Sequence, residues 1–306
     1  MKKISEAQIE EKQLKRLAAQ RQIYREGKKL QSLQIILFVP LSVLVSISAL
    51  LFPKMQNWAA AWVLTLFLIF GLSLWESKFR EKAAKIQELF DCEVLQMEWN
   101  PFACNGLPDN DDIVSYSNKY LKKEKNFNAF IDPPWYQSST DKVPLHIGRI
   151  LCQRENVSWE ARSRKIYAMG ILSISIAVAV IMLGIASYRN LDFQSILMKL
   201  ILPLFPAFYW AVTCYRENRK ASENMMKVKE QIHKLLNKMK DGIASEEEIT
   251  KASRELQNVI YYKRRDTPSV FDWIYKKYRN ENELHERDAA ETIVADILER
   301  YSLPSH

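Results

Sequence analysis

The sequence has little glycine, little proline and few cysteines, and each scarcity excludes a class of protein. Seven Gly and eleven Pro among 306 residues are too few for collagen, a Gly-rich linker protein or a nucleotide-binding fold with Gly-rich loops. The four cysteines stand at positions 92, 104, 152 and 214, at irregular spacings and without a CxxC pair. This argues against a disulfide framework or a zinc site and suits a reduced compartment.

The familiar sequence patterns of catalysis are also missing. No GxGxxG, P-loop, HExxH or nucleophile-elbow motif occurs. The acidic run Asp109, Asp111 and Asp112 lacks the spacing of a calcium loop, and it fits a solvated turn. We therefore expect neither an enzyme nor a bound metal ion or resident cofactor.

Charge is absent from four long stretches, although the mean hydropathy of −0.24 resembles that of a soluble protein. The stretches are residues 30–53, 55–75, 166–188 and 193–215, and only Lys199 interrupts the last one. A helix needs roughly 20 apolar residues to cross about 30 Å of hydrocarbon, so each stretch predicts a transmembrane helix. The short connections 54–57 and 189–192 predict two hairpins, residues 31–75 and 167–215.

Positive charge predicts the orientation of these hairpins. Residues 1–30, a basic arm that we expect to be helical and that has no signal-peptide pattern, hold nine Lys/Arg against four acids. Each hairpin tip has one cation, whereas several cations flank the other ends of the spans. Both termini, a middle domain (76–166) and a C-terminal helical region (216–306) are therefore expected in the cytoplasm. The basic arm serves this topology and attraction to anionic lipids, or it binds a specific anion.

The cytoplasmic segments have mainly helical patterns. Residues 217–240 place apolar side chains at three- and four-residue spacing, Ser245 and Glu248 predict a capping box for a helix to about Tyr262, and a last helix is expected near 281–301. Prolines interrupt residues 91–150, where CEVLQMEW (92–99) is the best strand candidate. The sequence predicts an all-α membrane protein: four transmembrane helices in two hairpins, extended into a mainly helical cytoplasmic region with a small irregular insert.

Within the spans the polar side chains are few, and they define the candidate pore or gate. Small residues on one face of span three either allow close helix packing or line a water-filled pore. Lys199 is expected to extend to the membrane interface. Two prolines should kink span four, and the kink is either the hinge of a gate or a detail of packing. Four such helices can hardly enclose a channel alone, so conduction requires a homo-oligomer. The candidate residues are Ser42, Ser46, Ser173, Gly184, Lys199, Pro203 and Pro206.

Five longer segments resemble one protein family. They are AAQRQIYREGKK (18–29), KIQELFDCEVLQMEWNPF (85–102), PPWY (133–136), LCQRENVSWEARSRKIY (151–167) and TPSVFDWIYKKYRNENE (267–283). In this order, and with the four spans between them, the chain resembles the SMODS-associated four-transmembrane effector family over essentially its full length.

The resemblance implies an effector of bacterial anti-phage defence (CBASS). Members of the family are encoded beside separate synthases of cyclic oligonucleotides and are thought to disrupt membranes. A cyclic di- or trinucleotide made after phage infection would be the activating ligand. It would bind in the cytoplasm, reorganise or oligomerise the effector, and open the inner membrane, which aborts the infection. No binding to a nucleic acid polymer is implied.

A cyclic nucleotide needs cations for its phosphates and flat side chains for its bases. Two cytoplasmic clusters offer this mixture, although the same rings could be core and the same cations solvated or lipid-facing. The first cluster is Trp135, Tyr136, Arg149 and Arg154, and the second is Tyr262, Arg264, Arg265 and Trp273 with the neighbouring Tyr261 and Lys263.

Two other functions stay open at this point. The chain could be a membrane scaffold or sensor whose exposed amphipathic stripe, 217–240, recruits a separate toxic partner. A small transporter is disfavoured because coupled transport normally needs ionisable residues within the membrane.

Overall fold

The computed structural model describes residues 2–51 and 58–301. Within these ranges it describes the backbone alone at residues 36–39, 46, 49–51, 58–70, 272–277, 279–283, 300 and 301. No strand occurs among the described residues, which confirms the predicted all-α class. Two 3₁₀ turns (Asn128–Phe130 and Ser138–Lys142) and a π-helical turn (Leu197–Ile201) connect α-helices. In chain order the helices are α1 (Ile4–Ala7), α2 (Glu11–Leu51), α3 (Trp58–Val94), α4 (Pro101–Cys104), α5 (Asn110–Glu124), α6 (Leu145–Tyr188), α7 (Phe193–Ile196), α8 (Leu202–Lys240), α9 (Glu246–Asp266) and α10 (Asp272–Tyr301).

Three helical stretches of the described chain are long and apolar enough to cross a membrane. They are Glu11–Val45, Leu145–Tyr188 and Phe193–Lys240. They contain residues 30–45 of predicted span one and all of predicted spans three and four. Predicted span two, residues 55–75, begins on residues 55–57, which lie outside the described chain. It continues along the first half of α3, whose side chains are described from Gly71 onward. The count of four spans therefore stays a prediction.

Outside the spans the helices form a polar body, by which we mean residues 2–30, 76–165 and 216–301. α2 packs along α3 and α6 packs along α8, so each predicted hairpin continues beyond its apolar stretch as two adjacent helices. α5 lies against α2, whereas α9 contacts both α3 and α6, and α10 contacts α6. These contacts join the two helix pairs. All four cysteines are buried and free.

The amphipathic stripe predicted in 217–240 forms one side of the largest core in the polar body. Its members on α8 pack with apolar residues of α6, α9 and α10, and most are at most 7% exposed. The stripe is therefore internal, and its supposed exposure, which motivated the scaffold hypothesis, is wrong. The buried members are Met225, Val228, Ile232, Leu236 and Met239.

The strand expected at residues 92–99 is also wrong. α3 continues through Asp91 to Val94, and Gln96 then takes a left-handed backbone conformation with φ of 53°. Phe90, Val94 and Leu95 are all fully buried, a helical spacing that the imperfect alternation of CEVLQMEW concealed. No second strand exists in the described chain to pair with this segment, whereas extending α3 satisfies its backbone internally.

The predicted helix breaks near the C-terminus exist, but two of the helix ends lie at other residues than predicted. The capping box is confirmed, because Ser245 Oγ accepts from the Glu248 amide at 3.2 Å and Glu248 Oε2 accepts from the Ser245 amide at 2.9 Å. α9 ends at Asp266 rather than near Tyr262, because only Pro268 disfavours a further turn. α10 then begins at Asp272, nine residues before the predicted start.

Candidate functional site

The aromatic rings of the first predicted cluster lie in the core of the polar body. Tyr136 is fully buried and stacks on Phe90 with ring centroids 6.2 Å apart, while Trp135 meets Phe90 edge-on at 5.9 Å. Tyr136 Oη donates to Asp91 Oδ1 at 2.7 Å and accepts from Asn156 Nδ2 at 3.0 Å. Burial raises the pKa of Tyr136. Tyr136 thus presents no free face to a base in this arrangement.

Arg149, from the same cluster, binds the C-terminal end of α3. Its Nε donates to the Leu95 carbonyl at 2.6 Å and its Nη2 donates to the Gln96 carbonyl. The last carbonyls of a helix have no partner within the helix, and a cation there also complements the helix dipole. Burial lowers the pKa of this guanidinium. Arg149 is therefore engaged in holding α3 against α6.

Asp91 joins the two predicted clusters, which are more than a hundred residues apart in sequence. It accepts from Tyr136 of the first cluster on Oδ1 and from Arg264 of the second on Oδ2. Burial alone would lower the pKa of Arg264, but the Asp91 carboxylate raises it. The structure thus brings Tyr136 and Arg264 to the two oxygens of one fully buried carboxylate.

This contact belongs to a buried polar network between α3 and α9 that the sequence analysis missed. Glu88, one turn before Asp91, accepts from Arg254 Nη2 at 2.6 Å. Gln257 Nε2 bridges the two acids, at 2.8 Å from Glu88 Oε2 and 2.9 Å from Asp91 Oδ2. Burial and the neighbouring Asp91 raise the pKa of Glu88. A signal was present, because two acids three residues apart on α3 face donors at 254, 257 and 264, which share one side of α9.

Two members of the second cluster, Tyr262 and Arg265, contact each other, and Arg265 lines a polar groove. Tyr262 is 38% exposed, and the Arg265 guanidinium lies over its ring at 4.9 Å from the centroid. The groove has a volume of about 300 Å³ and is lined by Ser77, Arg80, Glu81, Arg265 and Asp266. Both arginines already have partners, because Arg80 donates to the Arg265 carbonyl and to Glu76, and Arg265 pairs with Asp266. The side chain of Trp273 lies outside the described residues.

Arg154, the last member of the first cluster, lies where α6 meets α10. Its side chain is nearly inaccessible, and Nη1 is 3.3 Å from Glu286 Oε2. Arg162, two turns further along α6, reaches the other oxygen of Glu286 at 3.5 Å. Arg154 is therefore separate from the network around Asp91 and belongs to a second polar contact, between α6 and α10.

The candidate pore residues occupy different environments. Ser173 and Gly184 are exposed on α6, Ser42 is buried on α2, and the side chain of Ser46 lies outside the described residues. Lys199 is half-buried within the π-helical turn that precedes α8. Pro203 and Pro206 are buried near the start of α8, where Pro203 comes soon after the π-helical turn and Pro206 removes one hydrogen bond inside the helix.

Comparisons with known proteins agree on one family. The model of the SMODS-associating 4TM effector domain matches residues 2–293. A similar protein is a probable CBASS effector molecule of Bacillus cereus (strain VD146), which is 24% identical over 282 residues, spanning 88% of this chain and 91% of that protein. No solved structure matches the chain.

Proposed function

This chain belongs to the SMODS-associating 4TM effector family, membrane effectors of anti-phage defence, and from that premise we propose how it acts. We propose that it binds a cyclic di- or trinucleotide, made by a separate synthase, and then permeabilises the bacterial inner membrane. In this proposal both termini and the polar body lie in the cytoplasm, and no catalytic step is needed.

The continuity of α6 is the observation that carries the proposal. Its 44 residues run without a break from Leu145 in the polar body to Tyr188 at the far end of an apolar stretch. At 1.5 Å per residue the helix is about 66 Å long, enough to cross the bilayer and to reach deep into the polar body. A ligand that displaces α6 in the polar body therefore also displaces its membrane span.

The membrane part of α6 favours assembly of several copies. Large apolar side chains on this stretch are mostly exposed, for example Ile174, Val180 and Leu183 at 60–62%. Ser173, Ala177 and Gly184 are exposed beside them, and an added Cβ on Gly184 would meet nothing within 4 Å. Lipid or further copies of the chain must cover this face. Small residues let helices of neighbouring copies approach closely, so we propose a homo-oligomeric pore.

The experiment measures binding and leakage separately on the full-length protein. Dye-loaded liposomes containing the protein receive cyclic dinucleotides and cyclic trinucleotides one at a time, and calorimetry on detergent-solubilised protein measures binding. We expect one ligand to bind saturably and to cause leakage. Binding without leakage would move the killing step to a partner, as the scaffold hypothesis requires, and neither binding nor leakage would refute the proposal.

A substitution tests the assembly step. Gly184→Leu should leave ligand affinity unchanged and reduce ligand-induced leakage at least tenfold, because the added side chain has room in one copy but obstructs close packing between copies. Gly71→Leu is the matched control, since this exposed glycine of α3 also has nothing within 4 Å of an added Cβ. Equal leakage in wild type and Gly184→Leu would contradict assembly through this face.

A further inference from the structure

A carboxylate of α10 is buried among cations of α6 and α8. Glu286 is 1% exposed, and its two oxygens lie 3.3 Å from Arg154 Nη1 and 3.5 Å from Arg162 Nη2. Lys229 of α8 reaches the same place, donating to Ser158 Oγ of α6 at 2.9 Å. His285 Nδ1 is 3.0 Å from Arg162 Nη2. We call Arg154, Arg162 and Lys229 the cation triad.

Among the described side chains, the triad places three cations around one carboxylate, Glu286. Burial and then the charge of Arg154 lower the pKa of Lys229. Burial, Arg154 and Lys229 likewise lower the pKa of His233, one turn along α8. Glu155 does not offset these cations at neutral pH, because burial and Glu286 raise its pKa to about 8. A negative group that takes the place of Glu286 is therefore stabilised by the described cations.

Glu286 makes poor hydrogen bonds to the arginine donors of the triad. Charge-assisted N–H···O bonds are typically about 2.7–2.9 Å long and often bidentate for arginine. Arg154 instead makes a single longer contact with Glu286, and within the described chain its buried Nε has no hydrogen-bond partner. Its side chain is only 6% exposed, so bulk water does not easily compensate. A phosphodiester also carries one negative charge on two oxygens, but its phosphorus is tetrahedral and holds two further ester oxygens, so it can accept hydrogen bonds from donors in more directions than a planar carboxylate.

We propose that the cation triad binds a phosphate of the activating cyclic oligonucleotide, and that Glu286 occupies this phosphate site in the resting protein. This inference rests on the proposed function, and it assigns that function a site. An arriving phosphate displaces Glu286 and frees the neighbouring part of α10 from α6. The C-terminal part of α10 stays in place, because Val294 and Ile297 are buried in the main core.

The groove beside Tyr262 is the weaker alternative for the phosphate. Arg265 directs both Nε and Nη2 at Asp266, at 2.6 and 3.0 Å, and Glu81 also lines the groove. Its acids thus match its cations, whereas Arg154 at the triad keeps an unused donor. Two members of the triad, Arg154 and Arg162, also lie on α6, the helix that continues into predicted span three.

The test uses inorganic pyrophosphate as a probe, because it needs no knowledge of the bases. Full-length Glu286→Gln should bind pyrophosphate at least tenfold more tightly than wild type in calorimetry. Glu291→Gln, which changes an exposed carboxylate on the same helix, should bind as wild type does. Adding Arg154→Gln to Glu286→Gln should abolish the gain. Equal affinities of Glu286→Gln and Glu291→Gln would overturn the proposal.

A measurement on the wild type covers the case in which Glu286→Gln fails to fold. Saturating pyrophosphate should accelerate amide hydrogen exchange at residues 284–290 and leave 294–297 protected, and unchanged exchange at 284–290 would refute displacement of Glu286.

The cyclic nucleotide panel separates the two proposals. If none of its members binds while pyrophosphate affinity still depends on Glu286, the phosphate site stands and the proposed function fails. If one binds equally to wild type, Glu286→Gln and Arg154→Gln, the function stands and this site is refuted.

Discussion

Replacing Arg264 with methionine should destabilise the contact between α3 and α9. Arg264 is the cation that pairs with Asp91, whose side chain has no exposed surface. In the variant Asp91 keeps two donors, Tyr136 Oη at 2.7 Å and Gln257 Nε2 at 2.9 Å, but its charge is no longer paired. Removing one partner of a buried ion pair costs about 3–5 kcal/mol, and the two remaining hydrogen bonds favour the lower end, about 3 kcal/mol.

Thermal unfolding of the detergent-solubilised full-length protein, followed by tryptophan fluorescence, measures this loss. At roughly 2–4 °C per kcal/mol, Tm should fall by about 6–12 °C. Lys251→Met, an exposed change on the same helix, should alter Tm by no more than about 2 °C. The double variant Asp91→Asn with Arg264→Met should lose less than the sum of the single variants, because a neutral amide needs no cation. Additive losses, or a fall in Tm of less than about 2 °C for Arg264→Met, would refute the reasoning.

Three further variants test other contacts. In Glu155, burial raises the pKa from 4.5 to about 8, so the stability it contributes is complete below pH 4.5 and is lost as pH rises towards 8. Glu155→Gln should match the wild-type Tm near pH 4 and exceed it at pH 8, and parallel Tm curves would contradict this. Arg149→Met removes two hydrogen bonds to the end of α3 and should cost about 1–3 kcal/mol of unfolding free energy, against no change for the exposed Lys142→Met. Pro203→Ala with Pro206→Ala should alter activated leakage and leave ligand affinity nearly unchanged; equal loss of both would mean that the prolines serve folding.

The membrane helices could be located from sequence because their signal is local. A charge-free stretch of about 20 residues is sufficient to identify a span, and a serine three residues before a glutamate is sufficient to place the start of α9. The segment at 92–99 carries no such local signal. Whether its residues continue α3 or start a strand depends on what lies against them, and Phe90 and Leu95 face partners that are distant in sequence.

The candidate sites were less predictable because composition does not reveal pairing. Tyr136 and Arg264 belong to different clusters in the sequence, yet both bind Asp91. Arg154 is close to Tyr136 in sequence, but its partner is Glu286, 132 residues further along. A buried ion pair between distant helices follows from the packing of the whole chain, and no local spacing encodes it.

The two long helices of the second hairpin differ in a way that bears on gating. α6 is uninterrupted between the cation triad and the small-residue face, and the 22 residues from Arg162 to Gly184 span about 33 Å of helix. α6 can therefore transmit a displacement only by moving as a rigid body. Its partner, α8, begins directly after a π-helical turn, Leu197–Ile201, and Pro203 is the second residue of α8. Such turns often mark the place where a helix changes its bend. If α6 moves against α8 when Glu286 is displaced, the strain should be taken up at this turn. For this reason we expect the proline substitutions to act on leakage, while Glu286 and the cation triad act on affinity.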